Sequence, residues 1–129
     1  MKSNTKYLLD TDILADHLVK GKKGNSVLIF LMQKGICFTT VLNASELYFA
    51  ARSEKEKEFV RKVLNSLKIL GLNSRYALSI PDFSGKVKSV RDALFSVVAE
   101  INKLPVVTFD IRKYRKTNLK VIHPQDIRG

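Results

Sequence analysis

Along these 129 residues, short apolar runs alternate with longer amphipathic stretches. Tyr7-Leu8-Leu9 reads as a first strand ended by Asp10, and Asp12 as the cap of a helix that carries Ile13, Leu14 and Leu18 and closes near Gly21. Asn25 is placed to cap a second helix bearing Val27, Leu28, Phe30 and Leu31, with Gly35 as its stop. Ile36-Cys37-Phe38-Thr39 predicts a second strand, followed by a helical run over residues 41–52. Ser53 and Glu56 have the spacing of a capping box, and the helix behind them sets Phe59, Val60, Val63, Leu64 and Leu67 on one stripe. Ile69 and Leu70 predict a brief third strand. Residues 72–88 are poorly patterned: a short helix over 73–80, then a loop at Pro81 to Gly85. Ser89 opens a clear helix with Val90, Ala93, Leu94, Val97, Val98 and Ile101. Residues 105–109 are the most strand-like run, ended by Asp110, and residues 119–122 give a last strand. Strands separated by helices require crossover connections. The pattern therefore predicts an α/β fold with a mainly parallel sheet and helices on both faces, and such sheets bind ligands beyond the carboxyl ends of their strands.

That rule singles out the acidic residues. Asp10 and Asp110 each follow a strand; Glu46 comes early in the helix after the second strand, and Asp92 lies in the first turn of the helix before the fourth. Each has an ordinary alternative. Asp10, Asp12 and Asp110 stand where helix caps go, and Asp92 lies three residues after Ser89 as a capping box would have it. Glu46 fits that alternative poorly, since it lies in an otherwise small or apolar segment, residues 42–51, where an unpaired carboxylate against a sheet is costly. Four carboxylates delivered to one edge cannot all stay ionised without a compensating cation. Oxygen ligands suit Mg²⁺ or Mn²⁺. A zinc site is not supported, because the only histidines are His17 and His123 and the lone Cys37 sits in an apolar run as a buried hydrophobe would.

Charge sharpens this picture. Lys and Arg number 23 against 12 Asp and Glu, a net +11, an excess that favours polyanions; the alternative is a lysine-rich surface that serves solubility. An acidic metal site inside a basic protein suits a polyanionic substrate. Arg112, Lys113, Arg115 and Lys116 follow Asp110 closely and are placed to neutralise phosphates, with Tyr114 among them to stack on an unpaired base. A solvated helix face is the competing reading of this cluster, and Lys86, Lys88 and Arg91, just before Asp92, form a second candidate set. No apolar run approaches the ~18 residues of a membrane span, and residues 1–5 do not resemble a signal peptide, so the expected location is cytoplasmic.

Four segments together resemble the PIN-domain nucleases. Residues 7–14, Tyr-Leu-Leu-Asp-Thr-Asp-Ile-Leu, are similar to that family's first motif; residues 44–51, with Glu46, to its second; Asp92-Ala93-Leu94 to its third; and residues 104–110, ending Thr108-Phe109-Asp110, to its fourth. Order and spacing span nearly the whole chain, and the length is that of toxins of the VapC type. The resemblance implies one PIN-like nuclease domain over residues 1–129, a three-layer α/β/α fold around a central, mainly parallel sheet. It implies a Mg²⁺- or Mn²⁺-dependent endoribonuclease, often a homodimer, held by a cognate antitoxin. Carried over by position, Asp10, Glu46, Asp92 and Asp110 form the acidic cluster, with Asp10 and Asp92 as direct ligands and Thr11, Asp12 and Thr108 in support. Departures from the family lie in the bulkier Phe95, Val97 and Val98 and in residues 72–88. Two other readings compete. Asp10-Thr11-Asp12-Ile13 has the Asp-x-Asp core of haloacid-dehalogenase-type phosphatases, but Leu14 and the absence of a late aspartate pair depart from them and leave Glu46 without a role. A non-catalytic RNA-binding PIN module would show a gap in the acidic set, and none is visible.

Overall fold

In a computed structural model, described over residues 4–20 and 26–127, the strand-like runs pair side by side. They are β1 (Lys6–Leu9), β2 (Ile36–Thr40), β3 (Lys68–Leu70), β4 (Val106–Val107) and β5 (Val121–Ile122). All pairings are parallel, in the order β3-β2-β1-β4-β5. The helices are α1 (Thr11–Lys20), α2 (Val27–Lys34), α3 (Val41–Ala50), α4 (Glu54–Asn65) and α5 (Val90–Ile101), with 3-10 runs at Ser74–Phe83, Ile111–Tyr114 and Pro124–Asp126. No helix among the described residues is long and apolar enough to cross a membrane.

Because successive strand side chains point to opposite faces, the central strands bury both sides. Tyr7, Leu9, Cys37 and Val107 pack with Ile13, Leu14, Leu28, Leu31, Val60, Val63 and Leu64 of α1, α2 and α4. Leu8 and Val106 pack the other way, against Phe95 and Val98 of α5 and against Tyr114. This is the expected three-layer α/β/α arrangement. The sheet grows from β1 through β2 to β3, and the chain then returns to the opposite side of β1 to lay down β4 and β5. The reversal leaves a crevice at the carboxyl ends of β1 and β4, the usual ligand position in open α/β sheets.

Local signals account for most boundaries. Ser53 and Ser89 cap α4 and α5 by accepting from Glu56 N and Asp92 N. The box at α4 is displaced by one residue, since Glu56 Oε1 accepts from Arg52 N at 2.7 Å. Ser26 caps α2, while the expected roles of Asn25 and Gly21 fall outside the described residues. Gly35 ends α2 where a Cβ would stand 2.4 Å from Thr5 O, so a side chain there would collide with backbone. Three expectations shift. Asp12 is inside the first turn of α1 and does not cap it. The last strands shrink to two residues each. Residues 74–83 form one 3-10 run that includes Pro81, because Tyr76, Ile80 and Phe83 pack on Ala93 and Val97 of α5.

Candidate active site

Asp10 leaves the end of β1 at the centre of the sheet and is 1% exposed. A buried carboxylate needs its lone pairs filled. Thr11 N donates to its Oδ1 at 2.8 Å, Asn43 Nδ2 at 3.4 Å and Arg91 Nη2 at 2.5 Å. The Tyr114 hydroxyl donates to Oδ2 at 2.6 Å, and Lys113 Nζ lies 3.2 Å from the same oxygen. Burial pushes the carboxyl up, but Arg91, Tyr114 and Lys113 together outweigh it and hold Asp10 below the usual aspartate value.

Arg91, at the start of α5, gathers three of the four expected acids. Its Nη2 also lies 2.8 Å from Glu46 Oε1, and Nη1 lies 3.2 Å from Asp92 Oδ1 and 3.3 Å from Tyr114 Oη. The guanidinium is backed by the Phe95 ring, 5.1 Å away. Lys113 Nζ stands 3.7 Å from Asp92 Oδ1, completing a cluster of three carboxylates and two cations. Glu46 is exposed on α3 and not tucked against the sheet as its apolar neighbours suggest; Arg91 and the Thr11 hydroxyl, at 2.5 Å, satisfy it. Burial raises the Glu46 carboxyl, and these partners bring it to a net lowering.

The supporting residues divide. Thr11 Oγ1 accepts from Asn43 Nδ2 at 2.9 Å and from Arg91 Nη2 at 2.9 Å, so it belongs to the cluster. Asp12 and Thr108 face the other way: Thr108 Oγ1 donates to Asp12 Oδ2 at 2.8 Å and Phe109 N at 3.0 Å, tying α1 to the turn after β4. Asp12 Oδ1 is buried without a hydrogen-bond partner, and burial, with the charge of Asp10, raises the Asp12 pKa. With Oδ2 committed to Thr108 and Phe109 N, Asp12 serves as a tie between α1 and the turn after β4, a different use from the acid of a phosphatase nucleophile–acid pair. Asn43 was not anticipated. It is fully buried at the third position of α3 and shares a capping box with Thr40, a spacing of Thr and Asn that the sequence displays. Arg91, part of the second candidate set for phosphate contacts, faces the acids.

Asp110 is exposed, caps the Ile111–Tyr114 turn without a side-chain bond and stands apart from the Arg91 cluster. It shares with Asp92 the wall of a cleft of about 430 Å³, whose other charged lining residues are Lys86, Lys88, Arg112, Lys113, Arg115 and Lys116. The two basic segments thus meet across one opening. The stacking role of Tyr114 is corrected. Its ring is 1% exposed against Phe95 and its hydroxyl is committed to Asp10, so no face is open to a base. The adjacent Lys113 lines the cleft but reaches inward to Asp10.

Carboxylates without thiolate or imidazole are the donors a hard divalent cation takes, so the chemistry of Asp10, Glu46, Asp92 and Asp110 fits Mg²⁺ or Mn²⁺. Among the described residues no three acids are prearranged as a cage; Arg91 and Lys113 stand between them.

The family described as the PIN domain matches residues 7–119. No curated protein is matched by the sequence. Among solved structures, VapBC2 from Rickettsia felis bound to a promoter DNA fragment aligns with TM-score 0.74 at 16% identity, covering 92% of this chain and 98% of that one. VapBC-1 from nontypeable Haemophilus influenzae aligns with TM-score 0.75 at 14% identity, covering 95% and 100%. A toxin–antitoxin complex from Klebsiella pneumoniae gives TM-score 0.73 at 18% identity, covering 94% and 99%. At these identities the likeness is one of fold.

Proposed function

The chain belongs to the PIN-domain family, and from that premise we propose that it is a single-domain, divalent-metal-dependent endoribonuclease, the toxin of a VapC-type toxin–antitoxin pair. The observation that carries the reading is the cleft in which Asp92 and Asp110 share one wall system with six lysines and arginines. Carboxylates in its lining suit a metal, and the basic residues beside them suit a phosphodiester backbone. Asp10, Asp92, Glu46 and Asp110 would hold the ion. When bound, Mg²⁺ or Mn²⁺ supplies a water of lowered pKa and neutralises charge at the scissile phosphate. Lys86, Lys88, Arg112, Arg115 and Lys116 position the flanking phosphates, contacts that set register without reading bases. Tyr114, Thr11 and Asn43 hold the Asp10 carboxylate in one orientation. The aligned structures from Rickettsia felis, Haemophilus influenzae and Klebsiella pneumoniae are described as VapBC or toxin–antitoxin assemblies, which supports an antitoxin as partner; a homodimer and a cytoplasmic location go with the same reading.

The test is cleavage of single-stranded RNA by purified protein with Mg²⁺ or Mn²⁺ and with EDTA. Cleavage is expected only with the ion, with 3′-hydroxyl and 5′-phosphate ends. Asp10→Asn is expected to reduce turnover by more than the roughly 10–100-fold that loss of an outer-shell partner costs. Undiminished cleavage in chelator would overturn the metal reading. Hydrolysis of small phosphomonoesters in place of RNA would overturn the nuclease.

A further inference from the structure

Asp10 lies beneath two cations of its own chain. It is 1% exposed and absent from the cleft lining, while Lys113 is part of that lining. Arg91 reaches Asp10, Glu46, Asp92 and the Tyr114 hydroxyl from one planar group, the geometry for which a guanidinium is better suited than an ammonium. Its side chain is only 21% exposed and is not in the cleft lining either, so its charge is spent on the acids and not on incoming phosphate. An ion at about 2.1 Å from a carboxylate oxygen would meet, at Asp10 Oδ1, a guanidinium nitrogen already 2.5 Å from that atom. Two cations cannot share that lone-pair region without strong repulsion. Lys113 has an alternative place, since it is 28% exposed at the edge of the cleft and can turn toward phosphate. Arg91, stacked on Phe95, leaves only by giving up all its partners.

We propose that Arg91 is a resident counter-ion of the carboxylate cluster that competes with the divalent cation for Asp10, Glu46 and Asp92. The chain thereby lowers its own metal affinity and holds the site closed until an ion displaces the guanidinium. This rests on the metal reading of the same site given above.

Mn²⁺ binding to the full chain, measured by calorimetry at fixed ionic strength without RNA, tests it. Arg91→Gln is expected to bind Mn²⁺ at least about tenfold more tightly than the unmodified protein. Arg91→Lys, which keeps a charge but loses the two-pronged reach, is expected in between. Adding Asp10→Asn to Arg91→Gln is expected to abolish the gain. Without Arg91 the buried Asp10 keeps, among the described residues, only Lys113 as an ion-pair partner, so a thermal melt gives a second readout: Mn²⁺ is expected to raise the Tm of Arg91→Gln more than that of the unmodified protein. A variant folded only in Mn²⁺ would also support the proposal. Equal or weaker Mn²⁺ binding by both variants would overturn it while leaving the metal reading intact. Absence of Mn²⁺ binding by every protein would overturn both.

Discussion

Tyr114→Phe removes one hydroxyl and leaves the ring, so it separates the polar role of this residue from its packing. Phe95, 5.9 Å away centroid to centroid, keeps its neighbour, and no cavity forms. What is lost is a 2.6 Å hydrogen bond to the buried carboxylate of Asp10 and the longer 3.3 Å contact from Arg91. A hydrogen bond to a charged group contributes about 1.5–3 kcal/mol. Lys113 still serves the same oxygen at 3.2 Å, which places the expected loss near 2 kcal/mol, toward the lower part of that range. With a urea m-value of about 2 kcal/mol/M for a small domain, the midpoint should fall by about 1 M. The effect should also depend on pH. Asp10 has a lowered pKa in the folded protein, in part through Tyr114. Its stabilising contribution is therefore present above the unfolded aspartate value and lost as pH falls through the folded one. Removing the hydroxyl brings the folded pKa back up, so the variant should be most destabilised at neutral pH and converge on the unmodified protein in acid. Urea denaturation at a series of pH values measures this. A loss below about 0.5 kcal/mol at pH 7, where surface changes usually fall, or a loss unchanged into acid, would refute the hydrogen bond to an ionised Asp10.

Asp12→Asn should keep most RNA cleavage, because an amide oxygen can still accept from Thr108 and Phe109 N; loss as complete as in Asp10→Asn would refute the structural role. The raised pKa of Asp12 means its contribution is present below the unfolded value and lost as pH rises through the folded one, so the variant should gain more stability from acid to neutral pH in denaturation curves. Asn43→Ala strips donors from Thr11 and Asp10 and the acceptor of Thr40 N and Oγ1, and should cost about 2–3 kcal/mol in urea melts. Replacing Lys86, Lys88, Arg112 and Arg115 by Gln in an Asp10→Asn background should weaken RNA binding and flatten its log–log salt dependence by ~0.7 per lost phosphate contact. An unchanged slope would make these residues a solvated face.

Where a signal is local, the sequence alone was sufficient. Ser53 and Ser89 mark helix starts because a cap bonds within three residues, and Tyr7-Leu8-Leu9 is a two-sided buried strand because apolar residues fill both of its faces. Asp10 at a strand end is legible for the same reason. Residues 72–88 were not, since their 3-10 conformation follows from Tyr76, Ile80 and Phe83 packing on α5 and not from any period of their own. The site divides along the same line. Its acids could be named from position, but the partners of Asp10 come from Asn43, Arg91 and Tyr114, separated from it by 33, 81 and 104 residues. Whether Tyr114 faces solvent or the core, and whether Arg91 meets phosphate or carboxylate, depends on what the returning chain lays over β1. That is decided by the crossover from β3 to β4, which brings in α5, and by the β4-to-β5 connection, which brings in the Ile111–Tyr114 turn; together they meet the burial cost of the Asp10 charge.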